Sequence, residues 1–588
     1  MTGRGDSKGL RGAEAVVRAL EDEGIPFAFG IPGTHNIELY DRLAASETVE
    51  AVLVTDEQSA SFMADGLWRA SGRLGCVNVV PGAGMTHAMS GIAEAYLDHV
   101  PMLVLGCGVR RDTGHAFQLH DVDQLAMVSP VTKGVFRPAR GDEIYGMIRR
   151  ACALARAGAP GPVMIEIPAS LYMRPDHVPH GDAGLSPAPV EPIPGPTPEQ
   201  VRALADVLCE TRRPLLYLGA GAAPAAGRLV ELAELLEAPV TTTLQGKGVF
   251  PESHDLAVWP GFGAAAPPFA RSIAASCDAT LAIGCRFSEV GTGSYGLNPP
   301  RPLLHVDIDE AAIGANFEPE VGLVADSALL VPALLDELRC RRMVRAGPDT
   351  QLRTSIEVGR RETRVEQRTP TGSGGVTPGL LLPAIQDALG PRTVFATDSG
   401  NGTFLAAETL TLDGPGLFLA PIDYSCMGYS VPAAIGAAIG LGRTPTAALV
   451  GDGAFLMTGL EMLTAAQRGL PVAFFVFRDH ELAQIAQFQA TVYNRRESSA
   501  LPDYDLAALA SGMGLECLRL HDDEAIDSVL AGVADRLSRG EPVVVEVAID
   551  YSRKTWFTRG VLKTNLARLP WPDRLRMVSR ALARRITG

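Results

Sequence analysis

The sequence predicts an α/β protein made of three domains, each a doubly wound parallel sheet. Across the 588 residues, short apolar runs alternate with longer stretches that carry a helical pattern. The apolar runs lack the polar–apolar alternation of a sheet with one solvated face, and such runs are typical of parallel strands covered by helices on both faces. The chain is also too long for one hydrophobic core. Together these observations favour three α/β domains over one large domain.

Apolar runs in each third of the chain have the length and composition of buried strands. In the first third we predict strands at Ala51–Thr55, Gly75–Val80 and Met102–Gly106. In the middle third we predict Leu215–Gly219, Val240–Thr243, Thr280–Ile283 and Leu303–Val306. In the last third we predict Val394–Thr397, Thr446–Val450, Val472–Phe477 and Val543–Val547.

Two changes in composition divide the chain. The segment Pro189–Pro198 is rich in proline, which is typical of an extended linker. A polar stretch rich in Arg, Thr and Gly runs from about Arg341 to Gly379. We therefore expect an N-terminal domain at residues 1–185, a central domain at 198–340, a third domain at 376–555 and a C-terminal tail at 556–588.

Charge and composition exclude several classes of function. The formal net charge of -15 argues against nucleic acid as a partner, because phosphate binding requires clustered Lys and Arg. No apolar run is long enough to span a bilayer, and the polar start of the chain lacks the apolar core of a signal peptide. The nine cysteines form no C-x-x-C pair, so neither a zinc site nor a disulfide framework is indicated. We expect a soluble cytoplasmic protein that acts on a small molecule, without a nucleic-acid or membrane partner.

Carboxylates follow two strands of the third domain. Gly451-Asp452-Gly453-Ala454 comes directly after the run 447–450, ahead of a helical pattern around residues 460–467, and the strand Val472–Phe477 ends at Arg478-Asp479-His480-Glu481. One helix and one strand fit between the two aspartates, so adjacent parallel strands can place both at one edge of a sheet. Two oxygen ligands there, with a diphosphate supplying more, make a magnesium site. A solvated acidic turn is the alternative interpretation.

This pattern of strand, GDG, helix, strand and polar turn resembles the thiamine diphosphate (ThDP) motif of the acetolactate synthase and benzaldehyde lyase family. The resemblance implies that Asp452 binds the metal, that Asp479 binds it through its side chain, and that Glu481 binds it through its backbone carbonyl. The usual turn carries two asparagines where Arg478 and Asp479 stand here. Because aspartate is also a hard oxygen ligand, we expect Mg²⁺ binding to be retained, with an additional negative charge near the diphosphate.

Other segments extend the resemblance over nearly the whole chain. Among them are Phe29–Gly33, Val54–Gln58, Gly82–Thr86, Ala95–Pro101, Thr241–Pro251 and His305–Asp309. Within Val54–Gln58, Glu57 matches the family glutamate that hydrogen-bonds to N1' of the cofactor's pyrimidine and favours the imino tautomer, whose nitrogen removes the C2 proton. That role requires an apolar setting in which the carboxyl group shares a proton. A solvated or salt-bridged glutamate is the alternative.

The resemblance implies further contacts with the cofactor. Met427 stands where a bulky apolar residue wedges between the two rings of ThDP, and a backbone carbonyl near Ser425 accepts from the 4'-amino group. The segment Asp398–Gly402 resembles the family's second diphosphate loop. The expected cofactor-binding residues are Glu57, Gly82, Ser399, Asn401, Gly402, Ser425, Met427, Gly451, Asp452, Gly453, Ala454, Asp479 and Glu481.

Gln118 and His120 are, with Glu57, the candidate catalytic residues. Gln118 matches an active-site glutamine of the family. His120 has no counterpart in the acetolactate synthase pattern and could serve as a proton shuttle, with a surface histidine as the alternative. The expected substrate pocket is lined by Thr34, His35, Phe117, Gln118, Ile485 and Phe488.

The resemblance also implies a reaction class, which is chemistry on a 2-oxo acid or a 2-hydroxy ketone through a ThDP ylid and an acyl-carbanion intermediate. Biosynthetic acetohydroxyacid synthases carry an arginine and a tryptophan that orient the second 2-oxo acid, and Val290 and Phe488 stand at those positions here. We therefore predict an acetolactate synthase-like carboligase or lyase with a different acceptor. A 2-oxo acid decarboxylase and a hydroxyacyl lyase are the alternatives.

Two other classes of protein remain open. A nucleotide-dependent oxidoreductase would rest on Gly219-Ala220-Gly221, a lone G-x-G that is a weak signal and leaves Glu57 unexplained. A catalytically idle ThDP-binding protein would have no need of Glu57, Asp452 and Met427 together. Some relatives hold FAD in the central domain, but we expect none here. The resemblance further implies that the cofactor lies between two subunits, so we expect a homodimer or a dimer of dimers.

Overall fold

The computed structural model describes residues 10–174, 195–343 and 347–587, and it contains three six-stranded parallel sheets with interleaved helices. This confirms the predicted α/β class. The predicted linker Pro189–Pro198 lies outside the described residues except for its last four positions.

The first sheet is formed by strands between residues 27 and 168. Its strands are β1 (Phe27–Gly30), β2 (Glu50–Leu53), β3 (Gly75–Val79), β4 (Met102–Gly108), β5 (Gly134–Phe136) and β6 (Pro162–Pro168), and the helices are α1 (Gly12–Asp22), α2 (Ile37–Leu43), α3 (Glu57–Ser71), α4 (Ala83–Leu97), α5 (Gln124–Val128), α6 (Ile144–Arg156) and α7 (Ala169–Met173). The strand order is β2-β1-β3-β4-β6-β5. Every residue of β3, β4 and β6 is buried, as expected for strands covered on both faces.

The second sheet belongs to the central part of the chain. Its strands are β7 (Pro214–Leu218), β8 (Val240–Thr242), β9 (Ala257–Pro260), β10 (Ala279–Ile283), β11 (Leu303–Asp307) and β12 (Val321–Val324), and the helices are α8 (Pro198–Glu210), α9 (Ala226–Leu236), α10 (Pro268–Ala275) and α11 (Ser327–Cys340). The strand order is β12-β11-β10-β7-β8-β9. A further helix, α12 (Thr350–Arg368), occupies most of the polar stretch that follows.

The third sheet carries the predicted metal site. Its strands are β13 (Val394–Thr397), β14 (Phe418–Leu419), β15 (Thr446–Gly451), β16 (Val472–Arg478), β17 (Glu516–Leu520) and β18 (Val543–Ala548), and the helices are α13 (Pro378–Leu389), α14 (Asn401–Thr409), α15 (Ser430–Leu441), α16 (Asp452–Thr458), α17 (Met462–Arg468), α18 (Ala483–Tyr493), α19 (Leu506–Gly512) and α20 (Ile526–Ser538). The order β14-β13-β15-β16-β18-β17 makes β15 and β16 neighbours. Two more helices, α21 (Trp556–Arg568) and α22 (Trp571–Thr587), occupy the predicted tail.

The structure differs from the sequence expectation in one detail that concerns the site. The helix after β15 begins at Asp452 itself, not near residue 460. A carboxylate at a helix N-terminus interacts favourably with the helix dipole. Asp452 is therefore placed by both the end of a strand and the first turn of a helix.

The chain divides into two compact units. One contains the described residues up to 174 together with Tyr424–Thr446 and Thr458–Val472, and the other contains 195–423, 447–457 and 473–587. Glu57 and Met427 thus belong to the first unit, whereas Asp452 and Asp479 belong to the second.

Within the first unit, α3 and α15 cross at close range. A Cβ on Gly66 would overlap the carbonyl oxygen of Ala433, and a Cβ on Gly436 would overlap that of Met63. Only glycine lets the two backbones approach this closely. The crossing fixes α3, the helix that begins at Glu57.

No helix among the residues that the structure describes is long and apolar enough to cross a membrane.

Candidate active site

Glu57 is the first residue of α3 and is held there by its neighbours. The preceding residue, Asp56, caps the helix by accepting a hydrogen bond from the backbone N–H of Gln58 at 2.9 Å. Thr55 donates from its N–H and its hydroxyl to the buried Glu461, at 3.0 and 2.6 Å. The strand-to-helix turn is therefore fixed on both sides of Glu57, which is only 7% exposed.

A glycine and a histidine of α4 contact the Glu57 carboxylate. A Cβ on Gly84 would lie 2.9 Å from Oε1 of Glu57, so a larger residue would displace the carboxylate or be displaced by it. Nδ1 of His87 lies 3.3 Å from Oε2 of Glu57 and 3.7 Å from Oδ1 of Asp56. Glu57, Asp56 and His87 are the group of three His, Cys, Asp or Glu side chains that converge within 4.8 Å among the described residues. His87 was not predicted from the sequence, because its only signal is a position one helical turn after Gly84.

The predicted histidines meet beside the Gly82 turn. Gly82 has φ +63°, and a Cβ there would lie 2.9 Å from the carbonyl oxygen of His120. The His35 and His120 rings are 5.5 Å apart in an edge-to-face arrangement. Burial lowers the pKa of His35, and the charge of His120 lowers it further. The hydroxyl of Thr34 lies 3.2 Å from Nδ1 of His35, so these three predicted residues form one cluster.

Gln118 and Phe117 lie on the same loop as His120 but are placed differently. The side-chain amide of Gln118 donates to the carbonyl oxygen of Arg110 at 2.9 Å, so it supports its own loop. Phe117 is fully exposed in the single chain, at 102%. Both Phe117 and His120 have positive φ, of +58° and +68°, which is uncommon for residues other than glycine.

The segment predicted to touch the pyrimidine also belongs to the first unit. Ser425 has φ +63°, and the backbone N–H of Cys426 donates to Oε2 of Glu94 at 3.0 Å. Met427 is half-buried. The carbonyl oxygen of Gly428 accepts from the hydroxyl of Thr458 at 2.7 Å. The segment is thus anchored on both sides of Met427.

In the second unit, the two predicted metal-binding aspartates lie at one edge of the third sheet. Oδ2 of Asp452 accepts from the backbone N–H of His480 at 2.9 Å. Burial raises the pKa of Asp452, while the His480 N–H and the charge of Arg478 oppose the rise. Burial, together with the charges of Asp452 and Glu481, raises the pKa of Asp479 to about 7. A buried carboxyl group whose charge is disfavoured by neighbouring carboxylates, as that of Asp479 is, is well suited to a divalent cation.

The third predicted ligand, Glu481, has its side chain engaged elsewhere. Its Oε2 accepts from Arg496 at 2.7 Å. The backbone carbonyl of Glu481 remains the group predicted to bind the metal. Arg478 is 7% exposed, donates to Asp503 at 2.8 Å and stacks 4.0 Å from the centre of the Tyr504 ring.

In the part of the chain that the structure describes, the predicted diphosphate loop has a buried polar atom without a partner and two open glycine backbones. Oδ1 of Asn401 is buried and has no hydrogen-bond partner among the described residues. No atom lies within 4 Å of a Cβ built on Gly400 or Gly451, so both backbones are open to close approach. Asn401 begins α14, whose N-terminus favours an anion. A cofactor diphosphate with its metal ion fits this donor set. Gly402, Ser399, Gly453 and Ala454 lie in the same two turns.

The pocket residues predicted on the third domain lie on α18. Ile485 and Phe488 are three positions apart in that helix and therefore share one face. Ile485 is exposed in the single chain. Val290 packs against the hydrophobic core of the third sheet, and the nearby Arg286 is paired with Asp423 at 2.6 Å.

In the G-x-G segment of the central domain, the glycine N–H groups hydrogen-bond to carbonyl oxygens of the protein backbone. The N–H of Gly219 donates to Ile283 at 3.0 Å, and the N–H of Gly221 donates to Gly284 at 3.1 Å. A Cβ on Gly219 would overlap the carbonyl oxygen of Gly284. These glycines therefore serve the close packing of two loops, and their N–H groups are not free to bind a phosphate.

Three models of one protein family match this chain. The model described as "Thiamine pyrophosphate enzyme, N-terminal TPP binding domain" matches residues 10–127, the central-domain model matches 201–334, and the model described as "C-terminal TPP binding domain" matches 398–547. Thiamine pyrophosphate is the older name of thiamine diphosphate.

Relatives match along most of the chain. An acetolactate synthase of Mycobacterium bovis is 31% identical, over 93% of this chain and 89% of its own length. A probable acetolactate synthase large subunit of Methanocaldococcus jannaschii is 30% identical, over 92% of both chains. The acetolactate synthase isozyme 3 large subunit of Escherichia coli is 28% identical, over 93% of this chain and 96% of its own. The chain belongs to the thiamine-diphosphate-dependent enzymes of the acetolactate synthase family.

Proposed function

We propose that this protein is a ThDP- and Mg²⁺-dependent carboligase or lyase that acts on a 2-oxo acid or a 2-hydroxy ketone and uses an acceptor other than a second 2-oxo acid. The observation that carries the proposal is Glu57, a buried carboxylate at the start of α3 that faces Gly84. When bound, ThDP supplies a carbon nucleophile that adds to carbonyl groups. Glu57 holds the proton that this chemistry needs at the pyrimidine.

The metal and the diphosphate are assigned to the second unit. Asp452 and Asp479 provide carboxylate oxygens, and Glu481 provides its backbone carbonyl. The N-terminus of α14 at Asn401 and the open glycine turns at Gly400 and Gly451 provide backbone positions for the diphosphate. The raised pKa of Asp479 supports this assignment, because burial and the charges of Asp452 and Glu481 disfavour its ionised form and a divalent cation would offset them.

Polar groups near Gly82 are assigned to the substrate. His35 and His120 face each other at 5.5 Å, and the burial that lowers the pKa of His35 keeps it neutral near pH 7. A neutral imidazole can accept a proton from one group and donate to another. We assign the pair to proton transfer at the substrate oxygen, with Gln118 on the same loop.

The absence of a cation at residue 290 supports the choice of acceptor. Val290 packs against the core of the third sheet, and Arg286, four positions earlier, is paired with Asp423. A carboxylate-bearing acceptor would therefore meet an apolar side chain here. An aldehyde or another uncharged carbonyl compound suits this position better. Simple decarboxylation or cleavage of a hydroxyacyl compound is the second candidate, which the same residues allow.

The proposal also assigns a role to each domain, an oligomeric state and the absence of a flavin. We assign residues 1–185 to binding of the pyrimidine and 376–555 to binding of the diphosphate and metal. The active unit is a homodimer, alone or paired with a second dimer, in which each copy supplies one half of a cofactor site to the other. We assign no FAD to the central domain, 198–340, where the N–H groups of Gly219 and Gly221 are bonded to neighbouring carbonyls.

The experiment is a product screen. Purified protein with ThDP and Mg²⁺ is offered pyruvate and other 2-oxo acids, with and without an aldehyde, and carbon dioxide and products are measured by mass spectrometry. We expect carbon dioxide release and a 2-hydroxy ketone that incorporates the aldehyde. Acetolactate formed from pyruvate alone, at a rate that added aldehyde does not compete with, would overturn the proposed acceptor. No turnover of any 2-oxo acid or 2-hydroxy ketone by protein that binds ThDP would overturn the reaction class.

A further inference from the structure

Another buried glutamate, Glu94 of α4, contacts the segment predicted to hold the pyrimidine. Glu94 is fully buried, and its Oε2 accepts from the backbone N–H of Cys426 at 3.0 Å. The thiol of Cys426 also donates to the carbonyl oxygen of Ser90, one turn earlier on α4, at 3.4 Å. The other oxygen of Glu94, Oε1, is buried and has no hydrogen-bond partner among the described residues. Residues 90 and 94 thus tie this segment to α4.

The hydrogen bond from Cys426 determines which way a neighbouring carbonyl points. The N–H of Cys426 and the C=O of Ser425 belong to one planar trans peptide unit, in which the two groups point in opposite directions. With the N–H directed at Glu94, the Ser425 carbonyl is directed away from α4. Ser425 itself has φ +63°, a conformation that a residue with a side chain adopts only when its surroundings enforce it.

Glu94 lies in a cluster of acidic groups that share one arginine. Arg69 donates to Asp65 at 2.6 Å and to Asp98 at 2.8 Å. The hydroxyl of Tyr429 donates to Asp65. Burial, and then the charge of Asp98, raise the pKa of Glu94 to about 9, while the Cys426 N–H and Arg69 act in the opposite direction. Glu94 is therefore a neutral acid at pH 7, and it is a hydrogen-bond acceptor for Cys426 without adding a third negative charge.

We propose that Glu94 is a positioning residue that orients the Ser425–Cys426 peptide, so that the Ser425 carbonyl is presented to the 4'-amino group of the cofactor. The inference rests on the proposed function, because it assigns Glu94 to the same pyrimidine site as Glu57. Glu94 acts through the peptide and does not itself contact the reacting atoms.

The first test needs no cofactor. Hydrogen–deuterium exchange in the full-length protein without ThDP is measured by mass spectrometry over a peptide that contains residues 424–428. In Glu94→Ala we expect the Cys426 amide to exchange about tenfold faster, because one buried hydrogen bond is lost. Glu94→Gln keeps an acceptor oxygen, so it should retain the protection of the wild type. Equal exchange in Glu94→Ala and the wild type would overturn the proposal.

The second test measures the binding and the tautomeric state of the cofactor. We expect Glu94→Ala to bind ThDP with Mg²⁺ about tenfold more weakly by calorimetry and to weaken the circular dichroism band of the iminopyrimidine tautomer, with Glu94→Gln restoring both. Cys426→Ser is the matched control, since it keeps the backbone N–H. It should bind ThDP like the wild type. A Cys426→Ser loss as large as that of Glu94→Ala, or a failure of Glu94→Gln to restore binding, would overturn the proposal.

A third variant covers the case in which Glu94→Ala does not fold. Glu94→Asp keeps an acid but shortens the side chain by one methylene, which separates it from the Cys426 N–H. It should lose the protection of that amide, and retained protection would overturn the proposal. If the wild type bound no ThDP at all, the proposed function would fail, while the exchange measurement would still report on the peptide.

Discussion

Replacement of Glu94 by glutamine should change how the stability of the protein depends on pH. The carboxyl group has an ordinary pKa of 4.5 and a pKa of about 9 in the folded protein, because burial and Asp98 disfavour its charge. Between these values the folded protein keeps a proton that the unfolded chain has released. The wild type therefore loses stability as pH rises from about 4.5 towards 9 through this one group. Glutamine carries no such proton.

The magnitude follows from the difference in pKa. Each pH unit between the two values corresponds to about 1.4 kcal/mol. Raising the pH from 4.5 to 7 should therefore lower the free energy of unfolding of the wild type by on the order of 3 kcal/mol through this group. The free energy of unfolding of Glu94→Gln, relative to the wild type, should rise by about that amount over this range. The glutamine amide also brings two N–H donors into a buried site, which changes stability by an amount that does not depend on pH. The prediction therefore concerns how the difference in stability changes with pH, and not its absolute size.

The assay is denaturant unfolding of the two proteins without cofactor at pH 5, 6, 7 and 8. Glu47→Gln, which replaces an exposed carboxyl group, is the matched control for the loss of one carboxylate. Infrared spectroscopy gives an independent check, because the wild type at pH 7 should show a protonated carboxyl band that Glu94→Gln lacks. A difference in stability between Glu94→Gln and the wild type that does not change with pH would refute the assignment of Glu94 as a neutral buried acid.

Three further predictions concern the site. Gly84→Ala places a methyl group 2.9 Å from Oε1 of Glu57 and should therefore lower kcat/KM about 100-fold. Its free energy of unfolding should change by about 1 kcal/mol or less, because alanine favours a helix. A fully active Gly84→Ala enzyme would contradict the placement of Glu57. Asp452→Asn should weaken Mg²⁺-dependent ThDP binding at least tenfold by calorimetry, whereas Asp503→Asn in the same unit should not; equal losses would argue against the metal site. Val290→Arg should raise the share of product formed with a 2-oxo acid as acceptor, measured in competition with an aldehyde. Val290→Leu, the control, should leave that share unchanged. An unchanged share in Val290→Arg would show that residue 290 does not contact the acceptor.

Much of the fold could be predicted because buried parallel strands have a simple signature. The strand at Val394–Thr397 was predicted with its observed bounds, and β16 differs by one residue. The strands that escaped prediction lack that signature. The edge strand β17 is half-exposed, and β14 has two residues. In β6, Glu166 interrupts an otherwise apolar run, and its charge is paired with Arg137 at 2.8 Å.

The proximity of two site residues was predictable only where neighbouring parallel strands carry them. Asp452 and Asp479 follow neighbouring strands, so their proximity could be inferred from the order of elements alone. The contact between Glu57 and His87 depends on how α3 and α4 pack, which no local pattern encodes. Glu94 and Cys426 are 332 positions apart in the chain, and only the folded structure brings them together.

The measurement that tests the central claim most directly is exchange of the C2 proton of bound ThDP in deuterated water. It requires no substrate and reports whether this protein activates the cofactor through Glu57. We predict fast exchange in the wild type and exchange at least 100-fold slower in Glu57→Gln, with ThDP affinity reduced by much less. Equal exchange rates in the two proteins, both with ThDP bound, would contradict the account.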